Sequence, residues 1–159
     1  MLQLIPAPLH RLGLRAAHAV RQRWWRLTKV TLRGCRVLAF DAEGRVLLIR
    51  HSYGSGSWML PGGGIGRGEA PLAAAQRELR EETGCALDQP RCLARIDEPL
   101  YGTLNQVYLV SGTARGPLQC DGREVIEAQF FAPEALPASL SPALAARFAQ
   151  WLALARMPR

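Results

Sequence analysis

The sequence predicts a single domain of helices and strands, of the α/β or α+β class, built on a mixed sheet. Its 159 residues, with 48% hydrophobic and 21% charged side chains, are typical of one globular domain with a sizeable core. Short apolar runs of strand length are interspersed with segments of helical spacing. Because these segments do not follow a regular strand–helix–strand rhythm, we expect parallel and antiparallel strands in one sheet.

Positive charge is concentrated at the N-terminus. Residues 1–40 contain eight Arg or Lys and no Asp or Glu, whereas the other 119 residues contain twelve basic and thirteen acidic side chains. We therefore expect a basic amphipathic segment over residues 1–33, with a helix at 9–28, ahead of a main domain at 34–159. The near-neutral charge of that domain argues against nucleic acid as its partner.

Four roles remain open for the basic segment. It can pack on the domain or on a second subunit to give a homodimer, or it can lie on an anionic membrane surface. It can also extend a site toward a polyphosphate or an RNA 5′ end, or act as a targeting presequence.

No apolar run approaches the ~20 residues of a membrane-spanning helix. The four cysteines lack metal-site spacing and indicate free thiols. We expect a cytoplasmic protein, with peripheral membrane attachment as the alternative.

Strands are predicted from apolar runs bounded by turn residues. Residues 34–40 and 45–51 form a predicted hairpin, joined by a polar turn that ends in Gly44. A short strand at Trp58 is expected to lead into a glycine-rich loop, where the backbone needs positive φ or a close approach to another group. Further strands are predicted at 91–97, 104–112 and 124–131.

Two helices are predicted in the main domain. The first covers residues 70–83, with Pro71 in its first turn and Gly84 as its C-terminal stop. Leu72, Ala75, Leu79 and Thr83 give it an apolar face. The second covers residues 142–156, with Ser141 as the N-cap before Pro142.

Three glutamates share one face of the first helix. Glu78, Glu81 and Glu82 stand at positions i, i+3 and i+4. Like charges so close together near a helix C-terminus destabilise it unless a cation lies among them. Mg²⁺ prefers carboxylate oxygens and takes further ligands from substrate phosphates. The alternative is a solvated acidic helix face.

A longer pattern surrounds these glutamates. Gly63 is followed after five residues by Glu69, and after seven more by the run RELREETGC, which starts at Arg77. The pattern resembles the Nudix box, G-x5-E-x7-R-E-U-x-E-E-x-G-U, where U is a bulky aliphatic residue. Cys85 at the last position is a mild departure. The segments WMLPGGG, from Trp58, and EVIEAQFF, from Glu124, are similar to other parts of that family.

The resemblance to the Nudix family implies an α/β/α sandwich, here preceded by a basic helix, and a role for each box residue. Glu78, Glu81 and Glu82 would bind Mg²⁺ or Mn²⁺, with help from the backbone carbonyl of Gly62. Arg77 would hold Glu69 and orient the metal-binding helix, and the box glycines Gly63 and Gly84 would support the site.

The resemblance also implies a reaction, in which water activated by metal attacks one phosphorus of a diphosphate. The general base would be Glu81, Glu82 or the downstream Glu124, with Glu98 and Glu127 as further candidates. Tyr53 and Tyr101 are candidates for stacking on a base. Pro99 and Tyr101 stand where family members that cleave ADP-ribose and dinucleoside polyphosphates, respectively, carry a marker residue, so they do not separate the two substrates.

The expected function is hydrolysis of a nucleoside diphosphate linked to another moiety, with ADP-ribose or a similar sugar nucleotide as the first substrate. The alternative reaction is hydrolysis of a nucleoside triphosphate or a dinucleoside polyphosphate. A non-catalytic module that senses a nucleotide is an alternative from another class. In each case the expected binding partner is a small-molecule nucleotide.

Overall fold

The structure is a computed structural model that describes residues 31–158 except 101, 121 and 123. The predicted helix at 9–28 lies outside the described residues. Within them the elements follow one another in this order: β1 (Leu32–Phe40), β2 (Val46–His51), α1 (Pro71–Thr83), β3 (Ala86–Leu100), β4 (Thr103–Arg115), β5 (Val125–Phe131) and α2 (Pro142–Arg156).

The described strands form one five-stranded mixed sheet in the order β3-β4-β1-β2-β5. β1 runs parallel to β4, with Leu32 opposite Asn105, and antiparallel to β2, with Phe40 opposite Val46. The pairs β2–β5 and β3–β4 are antiparallel. The expectation of parallel and antiparallel strands in one sheet is confirmed.

One helix covers each face of the sheet. Alternate side chains of a strand point to opposite faces, so Val37 packs toward α1 whereas Leu38 packs toward α2. On the α1 face, Leu79 is fully buried against β1 and β2. On the α2 face, the core includes Trp58 and Trp151. The result is the α/β/α sandwich that the resemblance implied.

Both described helices begin and end where the sequence predicted. α1 starts after Ala70 with Pro71 in its first turn, and it stops at Gly84, whose φ of 75° is the left-handed conformation that favours glycine. α2 has Ser141 in the N-cap position, although the serine side chain makes no capping hydrogen bond. Neither helix in the described part of the chain is long and apolar enough to cross a membrane.

Two strand predictions were wrong in detail. β3 begins at Ala86 rather than at 91, because an edge strand accommodates Pro90 together with bulges on either side of Cys92. The expected short strand at Trp58 is absent from the described strands; this segment makes isolated bridges, Trp58 to Leu140 and Met59 to Ile49. The expectation of free cysteines is confirmed, with Cys35 and Cys85 buried and Cys92 exposed.

Candidate active site

Four glutamates line one small cavity between α1 and the start of β5. Its volume is about 60 Å³, and Val125 completes the lining. The four carboxylates belong to Glu78, Glu81, Glu82 and Glu124. The structure therefore brings the predicted helical trio together with the downstream glutamate.

The packing of α1 determines which glutamates are buried. Ala75 and Leu79 are fully buried against the sheet, so the residues beside them on the helix are drawn inward. The side chain of Glu82 is 8% exposed and that of Glu78 is 15% exposed, whereas that of Glu81 is 60% exposed. The exposed fraction of the side chain thus increases from Glu82 through Glu78 to Glu81.

Glu82 is the most deeply placed carboxylate of the cluster. Its Oε2 accepts a hydrogen bond of 2.8 Å from the backbone N–H of Gly62, and its Oε1 lies 3.6 Å from Nε2 of His51. Burial above all, together with the negative charges of Glu78 and Glu124, raises the pKa of Glu82 to about 9 despite the opposing hydrogen bond. Burial also raises the pKa of Glu78, opposed by Arg77. Both shifts mean that the negative charge on these carboxylates is poorly solvated by the protein itself.

Arg77 links the cluster to the loop in front of α1. Its guanidinium donates to both oxygens of Glu69, at 2.9 and 3.0 Å, and to Glu78 at 2.8 Å. It also donates to Glu81 at 3.2 Å and to the carbonyl oxygen of Gly64 at 2.9 Å. The hydrogen bonds from Arg77 to Glu69, helped by one from the N–H of Gly66, lower the pKa of Glu69 to about 2. The pairing of Arg77 with Glu69 is the one that the resemblance implied.

The glycine-rich loop passes too close to its neighbours to carry side chains. A Cβ on Gly62, whose φ is 143°, would overlap the carbonyl oxygen of Cys35. A Cβ on Gly63 would lie 2.7 Å from the carboxylate of Glu78. Gly63 accepts a hydrogen bond from the N–H of Cys35, which ties the loop to β1. Glycine at these positions lets the loop lie directly against both β1 and the carboxylates.

Glu124 joins the cluster from the start of β5 rather than from α1. It immediately precedes β5, and its carbonyl oxygen accepts from the N–H of Ser52, just after β2. Its Oε1 accepts a hydrogen bond of 2.7 Å from the hydroxyl of Tyr53. The ring of Tyr53 stacks on His51, with ring centroids 4.9 Å apart. Tyr53 is therefore not part of the cavity lining, but its hydroxyl contacts one of the lining carboxylates.

Other predicted residues fall outside this cluster. Neither Glu98 nor Glu127 is part of the cavity lining: Glu98 accepts two hydrogen bonds from Arg36, and Glu127 accepts one from Arg50. Tyr101 lies outside the described residues. The contact that Gly62 makes with the cluster is through its N–H; the metal-binding role of its carbonyl remains a prediction.

Sequence reasoning missed His51. Its side chain is 9% exposed and lies beside Glu82, yet in the sequence it is only the last residue of an apolar run. Its nearness to Glu124 follows from the pairing of His51 with Val125, a register that the sequence alone did not reveal.

A second, larger cavity adjoins the glycine loop. It has a volume of about 580 Å³, within the range of small-molecule sites. Gly62, Gly63 and Gly64 form part of its wall, and its lining is mostly apolar, with Leu60, Leu100, Val107, Leu144 and Trp151 among the residues. The glycine loop is thus a shared boundary between this cavity and the residues that hold the carboxylate cluster.

The carboxylate cluster suits a divalent cation in its chemistry and its size. Hard cations such as Mg²⁺ favour carboxylate oxygens, and a cavity of this volume can hold an ion with a few waters. Among the described residues, no three side chains already converge as a ready set of ligands, because Arg77 holds Glu78 and Glu81 while Gly62 holds Glu82. Binding therefore requires the carboxylates to exchange these hydrogen bonds for the ion.

Comparison with known proteins assigns the family. The NUDIX domain model matches residues 30–153, which is most of the chain. The chain belongs to the Nudix family. Members of this family generally use divalent metal ions such as Mg²⁺, in agreement with the carboxylate cluster.

Curated relatives match this Nudix chain over a short region. An RNA pyrophosphohydrolase from Bartonella bacilliformis is 45% identical over 60 residues, which are 33% of this chain and 35% of the relative. Another RNA pyrophosphohydrolase, from Psychrobacter sp., is 37% identical over 76 residues, 48% of this chain and 43% of the relative. The chain thus spans less than half the length of these relatives.

Solved structures match over a greater length. The MutT NUDIX hydrolase from Burkholderia pseudomallei superposes with a TM-score of 0.67 at 27% identity, covering 76% of this chain and 98% of that one. A MutT protein from Methanosarcina mazei Go1 gives a TM-score of 0.69 at 22% identity, covering 82% and 99%. The fold of the described domain is accordingly that of a Nudix protein.

Proposed function

We propose that this Nudix protein is a Mg²⁺-dependent hydrolase that cleaves a diphosphate linkage in a small nucleotide. The observation that carries the proposal is the convergence of Glu78, Glu81, Glu82 and Glu124 on one cavity, with Arg77 behind them. A purely structural role gives no reason to gather four carboxylates, two of them with raised pKa, along one small cavity.

Each group of residues has a defined task in this proposal. Glu78, Glu81 and Glu82 hold the ion, the Gly62 carbonyl contributes a further oxygen, and Arg77 with Glu69 fixes the distance between helix and loop. When bound, Mg²⁺ lowers the pKa of a coordinated water and neutralises charge on phosphate oxygens. Glu124, exposed and outside the helix, is suited to add a further ligand to the ion and to accept the proton of the attacking water, with Glu81 as the alternative base on α1.

The cavity of about 580 Å³ supports a substrate with a sizeable non-phosphate part. It shares the glycine loop with the carboxylate cluster, so a nucleoside in the cavity would place its diphosphate toward Glu78 and Glu82. We take ADP-ribose or a similar sugar nucleotide as the first substrate to test. Nucleoside triphosphates and dinucleoside polyphosphates come next.

A second candidate substrate is RNA with a 5′ polyphosphate. Curated relatives that match part of the chain are RNA pyrophosphohydrolases. The basic residues concentrated in residues 1–40 provide charge that can attract a polynucleotide. This substrate uses the same carboxylate cluster and differs only in what lies beyond the diphosphate.

The decisive experiment measures product release from a nucleotide panel, including a 5′-triphosphorylated RNA, with and without Mg²⁺. Glu78→Gln and Glu82→Gln should each reduce turnover by at least about 100-fold while thermal unfolding stays cooperative. Glu134→Gln, which changes an exposed glutamate after β5, is the matched control and should behave as wild type. Equal rates for wild type and Glu82→Gln on every substrate would leave the domain as a nucleotide-binding module.

A further inference from the structure

Tyr53 connects the two elements that supply the carboxylates. β2 ends at His51, and its pairing with β5 brings Ser52 and Tyr53 alongside Glu124. The N–H of Ser52 fixes the backbone of Glu124, and the hydroxyl of Tyr53 fixes its carboxylate at 2.7 Å. The backbone and the side chain of this glutamate are thus positioned by two successive residues.

The Tyr53 ring is itself held in place. It stacks on His51 at an interplanar angle of 25°, and His51 is 9% exposed beside the buried Glu82. Contacts therefore run in a row from the buried Glu82 through His51 and Tyr53 to the exposed Glu124. A ring supported in this way gives its hydroxyl a fixed location, which a flexible donor such as lysine would lack.

Glu124 needs such support more than the other three glutamates do. Glu78, Glu81 and Glu82 stand on a helix whose face is packed on the sheet, and Glu78 and Glu82 are largely buried. Glu124 is exposed and precedes its strand, so ordering its side chain on an ion costs rotamer entropy. The hydrogen bond from Tyr53 to Oε1 reduces that cost, because it already restricts the side chain before an ion binds.

We infer that Tyr53 is a positioning residue whose hydroxyl orders Glu124 for the divalent cation. The inference rests on the proposed function for the metal site itself. It goes beyond that function because it assigns a role to the loop after β2, where stacking on a base was the earlier expectation for Tyr53.

The test compares Mn²⁺ binding, measured by electron paramagnetic resonance without substrate, in wild type and Tyr53→Phe. Phenylalanine keeps the ring that stacks on His51 and removes only the hydroxyl. We expect the dissociation constant to rise about 10-fold, as for loss of other groups that orient metal ligands. Tyr108→Phe is the matched control: it removes a hydroxyl on β4, where the ring lies under Arg33, and should not change Mn²⁺ binding.

A double-mutant cycle establishes whether Tyr53 acts through Glu124. The variant carrying both Tyr53→Phe and Glu124→Gln should bind Mn²⁺ as Glu124→Gln alone does, because the hydroxyl no longer has a carboxylate to order. Multiplicative effects of the two substitutions would overturn the inference, and so would unchanged or tighter binding by Tyr53→Phe. Thermal midpoints close to wild type are expected for each variant.

The outcomes also separate this inference from the proposed function. Mn²⁺ binding that depends on Tyr53, together with no turnover on the whole substrate panel, would remove the hydrolase and keep the positioning role. Turnover that is intact in wild type, with Mn²⁺ affinity indifferent to the Tyr53 hydroxyl, would do the reverse. No Mn²⁺ binding by wild type would overturn the inference and the metal site together.

Discussion

At the scale of single residues, the feature with the clearest physical consequence is the buried carboxylate of Glu82. Its side chain is 8% exposed; one oxygen accepts a hydrogen bond from a backbone N–H and the other lies 3.6 Å from a histidine ring nitrogen. Taking a charged carboxylate out of water is costly, so the protonated form is favoured until a cation arrives. The proton and the metal ion therefore compete for the same group.

This competition predicts a pH-dependent stability for the metal-free protein. The folded state keeps a proton on Glu82 up to a pKa of about 9, whereas the unfolded chain releases it near the ordinary glutamate pKa of 4.5. Raising the pH through this window therefore favours unfolding, by at most about 1.4 kcal/mol per pH unit for one proton. Below about pH 4.5 both states hold the proton, and this contribution to stability is fully present.

The measurement is urea unfolding in the presence of a chelator between pH 5 and pH 8.5. The free energy of unfolding of wild type should fall with pH more steeply than that of Glu82→Gln, because glutamine has no proton to lose. Glu134→Gln provides the control for an exposed site and should follow wild type. Parallel pH profiles for wild type and Glu82→Gln would contradict the burial argument.

At the scale of elements, the glycine loop and α1 form one unit. The loop reaches α1 through three separate contacts: Gly62 with Glu82, Gly63 against Glu78, and Gly64 with Arg77. Each contact has its own geometric requirement. Adjacent glycines should therefore differ sharply in what a substitution does.

Gly63→Ala should disturb the carboxylate cluster, whereas Gly64→Ala should not. The added Cβ at Gly63 lies 2.7 Å from the Glu78 carboxylate, so that side chain must move away, but at Gly64 there is open space within 4 Å. We expect Mg²⁺-dependent turnover to fall about 10-fold or more in Gly63→Ala. Gly64→Ala, with its carbonyl still available to Arg77, should stay within about 2-fold of wild type. Similar activities for the two variants would contradict this assignment of the contacts.

Local signals explain why the elements near the site could be predicted from the sequence. Pro71 and Gly84 delimit α1 through their own backbone preferences, and the spacing of Glu78, Glu81 and Glu82 places them on one face whatever the tertiary context. The early start of β3 was missed because Pro90 usually argues against a strand, and only its edge position makes it tolerable. The segment at Trp58 failed as a strand because its hydrogen bonds go to single positions rather than to a ladder.

Contacts between distant elements limited what the sequence could show of the site. The nearness of His51 and Tyr53 to the cluster depends on the pairing of β2 with β5, which no local pattern specifies. The resemblance to the Nudix family gave the position of Glu124, but its partner Tyr53 had to be found from the structure. The larger cavity likewise arises only when β1, the glycine loop and α2 come together.

At the scale of the whole molecule, charge is separated between the N-terminal segment and the rest. Six of the twenty Arg and Lys residues belong to residues 1–30, which leaves fourteen basic against thirteen acidic groups in 31–159. The near-neutral part contains the complete sheet and the carboxylate cluster. We therefore expect the N-terminal segment to act in association rather than in chemistry.

Deletion of residues 1–30 tests this division. Turnover of a small nucleotide should stay within about 2-fold of wild type, since no group of the carboxylate cluster is removed. The mass measured by light scattering, or the binding to anionic vesicles, should fall. A full-length protein that is monomeric and does not bind vesicles would contradict a role in association, and a deletion variant without activity would place the segment in the site.

The parallel pairing of β1 with β4 determines the order in which this molecule can assemble. The β3–β4 hairpin joins neighbours in the sequence, whereas β1 must find a strand that follows the whole of α1 and β3. Closing so long a loop is slow compared with forming a hairpin or a helix. Glu124 follows both β3 and β4 in the chain, and it reaches its partners only when β5 docks on β2. A nascent chain therefore contains α1 and its three glutamates before Glu124 has been synthesised, and the cavity with all four carboxylates is complete only after β5 docks on β2.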